Sequence, residues 1–146
     1  MGRFDGKVVL VTGGNRNTGL DIVEKFADEG ATVYMCGSTP ESTAKGAEIL
    51  AGRGYENVTS IPCNVSDFAQ VKKLFDVIES RSGHLDILVN NAGFGGYATW
   101  GELPANELRR MFEVDFFAPV RLAQMLLPML AATQGNIVNI ASVAAL

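Results

Sequence analysis

The residues best suited to chemistry gather first in the stretch Thr12-Gly13-Gly14-Asn15-Arg16-Asn17-Thr18-Gly19. It follows an apolar run that reads as a strand and precedes a run with helical spacing. In that setting a glycine-rich turn brings backbone N–H groups and the positive end of a helix against a pyrophosphate. Gly13 allows a sharp turn off the strand, and Gly19 lets the helix pack close to the sheet or a ligand with no Cβ between them. Asparagine is the non-glycine residue that best tolerates a left-handed backbone, which Asn17 is therefore able to adopt. Arg16 adds a planar guanidinium suited to phosphate. An ordinary strand-to-helix turn also favours Gly and Asn, so the loop alone leaves both readings open.

The elements that must position this loop follow from periodicity. Short β-branched runs alternate with longer helical stretches, the pattern of βαβ units feeding a parallel sheet. The first strand is expected over residues 7–11, where Val8 to Val11 form an unbroken apolar run suited to a strand covered on both faces. Leu20, Val23 and Ala27, with Ile22 and Phe26, then recur at helical spacing up to Gly30. The pattern repeats as a strand over 32–36, a helix over 42–53 and a strand over 58–62. Ser66 or Asp67 then caps a helix with Phe68, Val71, Leu74, Phe75 and Ile78 on one face. A fourth strand is expected over 87–90 and a fifth over 136–140. Between them, residues 104–130 read as one long helix with Phe112, Phe116, Val120, Ala123 and Leu127 on one face. Met111, Leu122 and Met125 lie elsewhere around it, so more than its own sheet must cover it. The fold class is α/β, a Rossmann-type doubly wound parallel sheet, in one dinucleotide-binding domain over residues 1–146.

Composition narrows the function. With 47% hydrophobic and 19% charged residues, the 146-residue chain is apolar enough to pack one domain and too short for two. A net charge of -4 leaves no basic surplus for nucleic acid, which is not an expected partner. The longest apolar run, residues 125–132, is too short to span a bilayer, so no membrane partner is expected. Cys36 and Cys63 match neither a disulfide scaffold nor a zinc site, no metal is expected, and the start lacks the apolar core of a signal peptide. A cytoplasmic protein with reduced thiols is the expectation. His84 reads as a solvated turn residue.

Three motifs in order carry a family resemblance. The glycine loop is similar to Thr-Gly-x-x-x-Gly-x-Gly, with Asn17 in place of the middle glycine. Asn90-Asn91-Ala92-Gly93 follows the fourth strand, and Gly135-Asn136-Ile137-Val138-Asn139-Ile140-Ala141-Ser142 runs along the fifth. Together they resemble the short-chain dehydrogenase/reductase family, of the 3-oxoacyl-acyl-carrier-protein reductase type. The resemblance covers all of this chain but only the first part of the family's domain, so the sheet is expected to be truncated after the fifth strand.

The resemblance implies a nicotinamide dinucleotide held by Gly13, Gly14, Asn15, Arg16, Asn17 and Gly19. Asn64 and Val65 take the place of the pair that recognises adenine, and Asn91, Ala92 and Gly93 approach the ribose. The second strand ends Cys36-Gly37-Ser38-Thr39 with no acidic residue, which would select NAD. Arg16 lies where NADP-dependent relatives commonly carry a basic residue. NADP is therefore expected over NAD, with Ser38 beside its 2′-phosphate. The competing reading makes Arg16 a solvated charge and Ser38 and Thr39 helix caps.

Family members reduce a carbonyl or oxidise an alcohol by hydride transfer, with a tyrosine passing the proton and a lysine four residues on lowering its pKa. Ser142 matches the serine that holds the substrate oxygen. Asp115 stands where the family carries an asparagine that holds a water of the proton relay, and an ionised carboxylate there can only accept. Four residues after Tyr34, Tyr55 and Tyr97 come Ser38, Thr59 and Gly101, so the chain contains no Tyr-x-x-x-Lys. The resemblance thus implies the N-terminal, cofactor-binding part of an NADP(H)-dependent carbonyl reductase or alcohol dehydrogenase, inactive alone. A homo-oligomer or a complementing chain is expected to cover the open edge. The alternative is a non-catalytic nucleotide-binding or interaction module. Phe94 and Trp100 either line a substrate pocket or seal their loop against the long helix.

Overall fold

The β-branched runs become strands β1 (Val8–Thr12), β2 (Thr32–Gly37), β3 (Val58–Pro62), β4 (Ile87–Asn90) and β5 (Asn136–Asn139) of the computed structural model, which describes residues 2–142. They form one parallel sheet in the order β3-β2-β1-β4-β5. Alternate residues of β1 enter opposite cores. Val8 and Leu10 pack with Leu74, Ile78, Leu122 and Leu126, whereas Val9 and Val11 pack with Leu20, Val23 and Ala27. That division explains the unbroken apolar run, since neither face of the strand meets water.

Helix α1 (Asn17–Asp28) and helix α2 (Pro40–Gly52) cover one face, and α3 (Phe68–Ser82) lies on the other. Capping chemistry sets the boundaries. Helix α2 starts two residues earlier than spacing suggested, because Pro40 supplies a preset first turn and the Thr39 hydroxyl accepts from Ser42 N at 3.2 Å. Asp67 caps α3 by accepting from Ala69 N and Gln70 N. The Gln70 N–H foremost, with its side-chain amide, holds the half-buried Asp67 carboxyl below its ordinary value.

The long helix departs from expectation. It comprises α4 (Ala105–Phe112), a widened π-helical turn at Glu113–Phe117, and α5 (Ala118–Ala132). Pro119 has no N–H, so the Asp115 carbonyl lacks its i+4 donor, and the turn widens there with Ala118 N donating to Glu113 O. Ala118, Leu122, Leu126 and Leu130 face the sheet, while Phe112 and Phe116 are 54% and 56% exposed. The expected apolar face of Phe112, Phe116, Val120 and Leu127 therefore points outward. The 28 residues of this helical run are long and apolar enough to cross a bilayer by length and composition, which the expectation from the run 125–132 missed. Leu122, Leu126 and Leu130 of this run pack into the sheet core, and 28% of its apolar window is buried.

At the opposite edge of the sheet from the glycine loop, Asp86 is buried and accepts from Val8 N and Lys7 Nζ, both at 2.9 Å. The His84 ring lies 3.4 Å away with its side chain 42% exposed, so the expected solvated residue also borders this cluster. Burial pushes the Asp86 carboxyl up, but Val8 N–H, Lys7 and His84 prevail and hold it below its ordinary value.

Candidate functional site

Strand order reverses at β1, since the chain runs outward through β2 and β3 and then returns to β4 and β5. In such sheets the crevice at the carboxyl ends of the two strands flanking the reversal is where ligands bind. The glycine loop and the segment 91–93 meet there.

The Thr12 hydroxyl ties them. It accepts from Asn91 N and Ala92 N, both at 3.0 Å, and donates to Val89 O at 3.4 Å. The Asn91 amide donates to Thr12 O at 3.1 Å and Gly13 O at 3.2 Å. Gly13 has φ +62°, and a Cβ there would lie 2.9 Å from Ala92 Cα. A Cβ on Gly19 would strike Gly13 O, so only glycine lets α1 start this close to the loop. Asn17 is left-handed, φ 50°, as its residue type suggested. Arg16 occupies the N-cap position of α1 in an extended conformation and makes no side-chain capping bond. Among the described residues no side chain caps the first turn of α1, which lies at the sheet's carboxyl edge, where an anion is favoured.

The other expected cofactor residues take varied places. Arg16 and Ser38 are exposed, on the loop and just past β2. Asn15 is buried, its amide donating to Ser42 O at 3.3 Å while its backbone packs against Gly46, so this side chain braces the loop on α2. Gly14 is buried against Met35 and Val23, and its N–H donates to Cys36 O at 3.1 Å. Asn64 Oδ1 accepts from Ser66 N at 3.0 Å, with Val65 buried beside it. The carbonyl oxygen of Asn64 retains a second lone pair.

On the far side of the crevice, Asp115 projects from the π-helical turn and accepts from Phe94 N at 2.8 Å. The carboxylate thereby fastens the segment after Gly93 to the long helix. Arg110 stacks 4.1 Å from the centre of the Phe94 ring, so Phe94 seals its loop against α4. Trp100 does not, being 87% exposed. Ser142 follows the end of β5 at the same edge of the sheet and is exposed. Strand β5 is held in place by Asn90, whose carbonyl accepts from Ile140 N and whose amide donates to Asn139 Oδ1 at 2.9 Å. Sequence reasoning missed the roles of Thr12, Asn139 and Arg110. For the first two the signal was a polar residue closing an otherwise apolar strand.

The comparisons with known proteins agree with this geometry. The family profile described as short chain dehydrogenase matches residues 7–146. The chain is 38% identical over 138 residues to an uncharacterised oxidoreductase of Bacillus subtilis, covering 94% of this chain and 53% of that protein. It is 36% identical over 143 residues to the L-fucose dehydrogenase of Rattus norvegicus, covering 97% and 51%. With the meso-2,3-butanediol dehydrogenase of Serratia marcescens it shares 34% over 145 residues, covering 99% and 56%. A short-chain dehydrogenase/reductase of unknown function from Caenorhabditis elegans, solved with cofactor, superposes with a TM-score of 0.88 at 26% identity, covering 98% of this chain and 55% of that one. The chain spans about half the length of the curated relatives it matches. Members of this family use nicotinamide dinucleotide cofactors. By profile, by relatives and by the fold that sets its glycine loop at the switch point of a parallel sheet, the chain belongs to the short chain dehydrogenase family.

Proposed function

We propose that this chain is the cofactor-holding, N-terminal part of an NADP(H)-dependent carbonyl reductase or alcohol dehydrogenase, working in the cytoplasm and covered at its β5 edge by further polypeptide or a second subunit. The observation that carries the reading is the α1 N-terminus, without a side-chain cap, drawn against the glycine loop by Gly19. That arrangement suits the pyrophosphate of a dinucleotide. Preference for NADP rests on exposed Arg16 and Ser38 and on the absence of an acidic residue at the end of β2.

When bound, the nicotinamide supplies hydride transfer to or from a carbon bearing oxygen. In this reading Gly13, Gly14, Asn17 and Gly19 shape the phosphate turn, with Asn15 bracing it. Arg16 and Ser38 take the 2′-phosphate, and Asn64 with Val65 borders the adenine. Asn91, Ala92 and Gly93 border the ribose, and Ser142 donates to the substrate oxygen. Asp115 is a positioning residue that holds the segment after Gly93. The 146 residues contain no Tyr-x-x-x-Lys, so turnover requires a proton donor from elsewhere.

Fluorescence titration tests the cofactor reading. NADPH is expected to bind more tightly than NADH, and Arg16→Ala to weaken NADPH about tenfold, ~1.4 kcal/mol, while leaving NADH unchanged. Equal binding of the two cofactors, or an Arg16→Ala variant that weakens both alike, overturns the NADP assignment.

A further inference from the structure

The loop over residues 94–103 joins β4 to α4, and its two ends are held while its middle is not. At the root, Phe94 N donates to Asp115 at 2.8 Å and the Phe94 ring lies under Arg110. At the tip, the Thr99 carbonyl accepts from Glu102 N at 2.9 Å and Leu103 N at 3.0 Å, and the Thr99 hydroxyl donates to Glu102 at 2.8 Å. Between them, residues 95–98 make no hydrogen bond among the described residues.

The glycines of that middle are not demanded by the conformation they adopt. Neither Gly95 nor Gly96 has a left-handed φ. A Cβ on Gly95 would meet nothing within 4 Å, and one on Gly96 would make ordinary contact with Glu107 at 3.5 Å and Leu103 at 3.9 Å. Alanine would fit at both positions, so what two adjacent glycines contribute is freedom to leave this conformation. Tyr97 and Trp100, which follow them, are both exposed. Rings of that size gain free energy on leaving water, so a conformation that covers them is favoured once a surface is offered.

We propose that residues 95–103 form a flap, hinged at Gly95 and Gly96, that closes on the crevice once dinucleotide is bound and makes Tyr97 and Trp100 a wall of the substrate site. The inference rests on the proposed function, which sets Asn91, Ala92 and Gly93 at the ribose, directly before the fixed root. The tied turn over residues 99–103 moves as one body about its junction with Pro104, where α4 begins. Reach permits the movement. The arm over residues 95–98 spans about 13 Å when extended, whereas neighbouring strands lie only about 5 Å apart. A turn at the hinge therefore carries the rings across the opening between β4 and β1. Asp115 and Arg110 keep the pivot in place while the flap moves, so the rings return to one position above the segment 91–93. Closure of this kind excludes water from the end of the site where hydride is exchanged. Two aromatic faces suit a substrate that presents a flat or ring-shaped apolar face beside its carbonyl.

Trp100 is the single tryptophan of the chain, so its emission reports the flap alone. NADP+ is the probe, because it does not absorb that emission, and calorimetry measures its binding separately. Bound NADP+ is expected to move the emission to shorter wavelength and to cut its quenching by acrylamide several-fold. Gly95→Val fills open space and stiffens the hinge, so it should keep its circular dichroism spectrum and lose most of that protection. NADP+ binding that leaves acrylamide quenching unchanged overturns the inference and leaves the proposed function standing, as does equal protection in Gly95→Val. Protection already present without NADP+ and lost on dilution assigns the rings to a second copy of the chain and also overturns the flap. A chain that binds no NADP+ refutes the proposed function, and the inference falls with it.

Discussion

Replacing Thr12 by valine removes one hydroxyl and keeps the shape of the side chain, so it isolates the tie between β1 and the segment 91–93. The hydroxyl accepts from Asn91 N and Ala92 N, both at 3.0 Å, and Thr12 itself is buried. Valine strands both donors. Leaving a buried N–H without a partner costs about 1–3 kcal/mol. Both amides are only partly buried, so water recovers some of that loss, and the expected cost is about 2–4 kcal/mol. The donation to Val89 O, at 3.4 Å, is too long to add much. Thr12→Ser retains the hydroxyl and loses one methyl, so its cost should stay near ~1 kcal/mol. Urea unfolding followed by circular dichroism gives both values, and NADPH titration gives the functional counterpart, with valine weakening binding far more than serine. A valine variant no less stable than the serine variant would refute the idea that this hydroxyl holds the crevice together.

Asp115→Asn keeps an oxygen that can accept from Phe94 N, so stability should change by less than about 0.5 kcal/mol, whereas Asp115→Ala should lose about 1 kcal/mol and speed hydrogen exchange at the Phe94 amide. Equal exchange rates in the two variants would show that the carboxylate does not hold the loop. Because the folded-state pKa of Asp86 is depressed, its stabilisation is present in full above the ordinary carboxylate value and disappears as pH falls through the lower folded value. Unfolding free energy should therefore drop steeply below about pH 4. Asp86→Asn should be less stable at pH 7 by about 2 kcal/mol and show a shallower acid limb, and an unchanged acid limb would assign the sensitivity to other carboxylates.

What the residues announced, and what they withheld, divides along the range of the interactions. The uninterrupted apolar run of β1 implied burial on both faces, and Val8 to Thr12 are all buried. Asn17 could be expected to be left-handed from its place at the middle glycine of the family's loop, which an asparagine tolerates. The faces of the long helix were misassigned because the run is apolar on more than one side, so spacing did not separate the Phe112, Phe116, Val120 and Leu127 face from the Ala118, Leu122, Leu126 and Leu130 face that meets the sheet. For the widened turn itself Pro119 was the available signal, since a proline four residues on leaves a carbonyl without its helical donor. The tie through Thr12 joins residues 77 to 80 positions apart, and no local pattern encodes such a partner. Asn90 and Asn139 became a pair only once β4 and β5 were in register. Asn15 shows the same limit in reverse, because its place in the loop suggested a ligand contact while the close approach of α2 turned its amide away.

Burial across the sheet separates the two halves of the expected chemistry. Every residue of β1 and β4 is buried, and the glycine loop hangs from the end of the first and Asn91 from the end of the second. Strand β5 is exposed along its whole length, and Ser142 lies just beyond it. Interactions made inside two closed cores do not depend on what covers an outer strand, so the glycine loop, the proposed phosphate turn, keeps its shape within this chain. Ser142 follows a strand paired on one side only, and such an edge strand is the first part of a sheet to fray. Hydrogen exchange should divide the molecule the same way, with slow amides at Val9 to Val11 and fast ones at Ile137 to Ile140. Covering β5 should slow only the second group while leaving the affinity for dinucleotide nearly constant. If the cover tightened dinucleotide binding as strongly as it protected β5, the phosphate turn would not be complete in itself, and the separation argued from burial would fail.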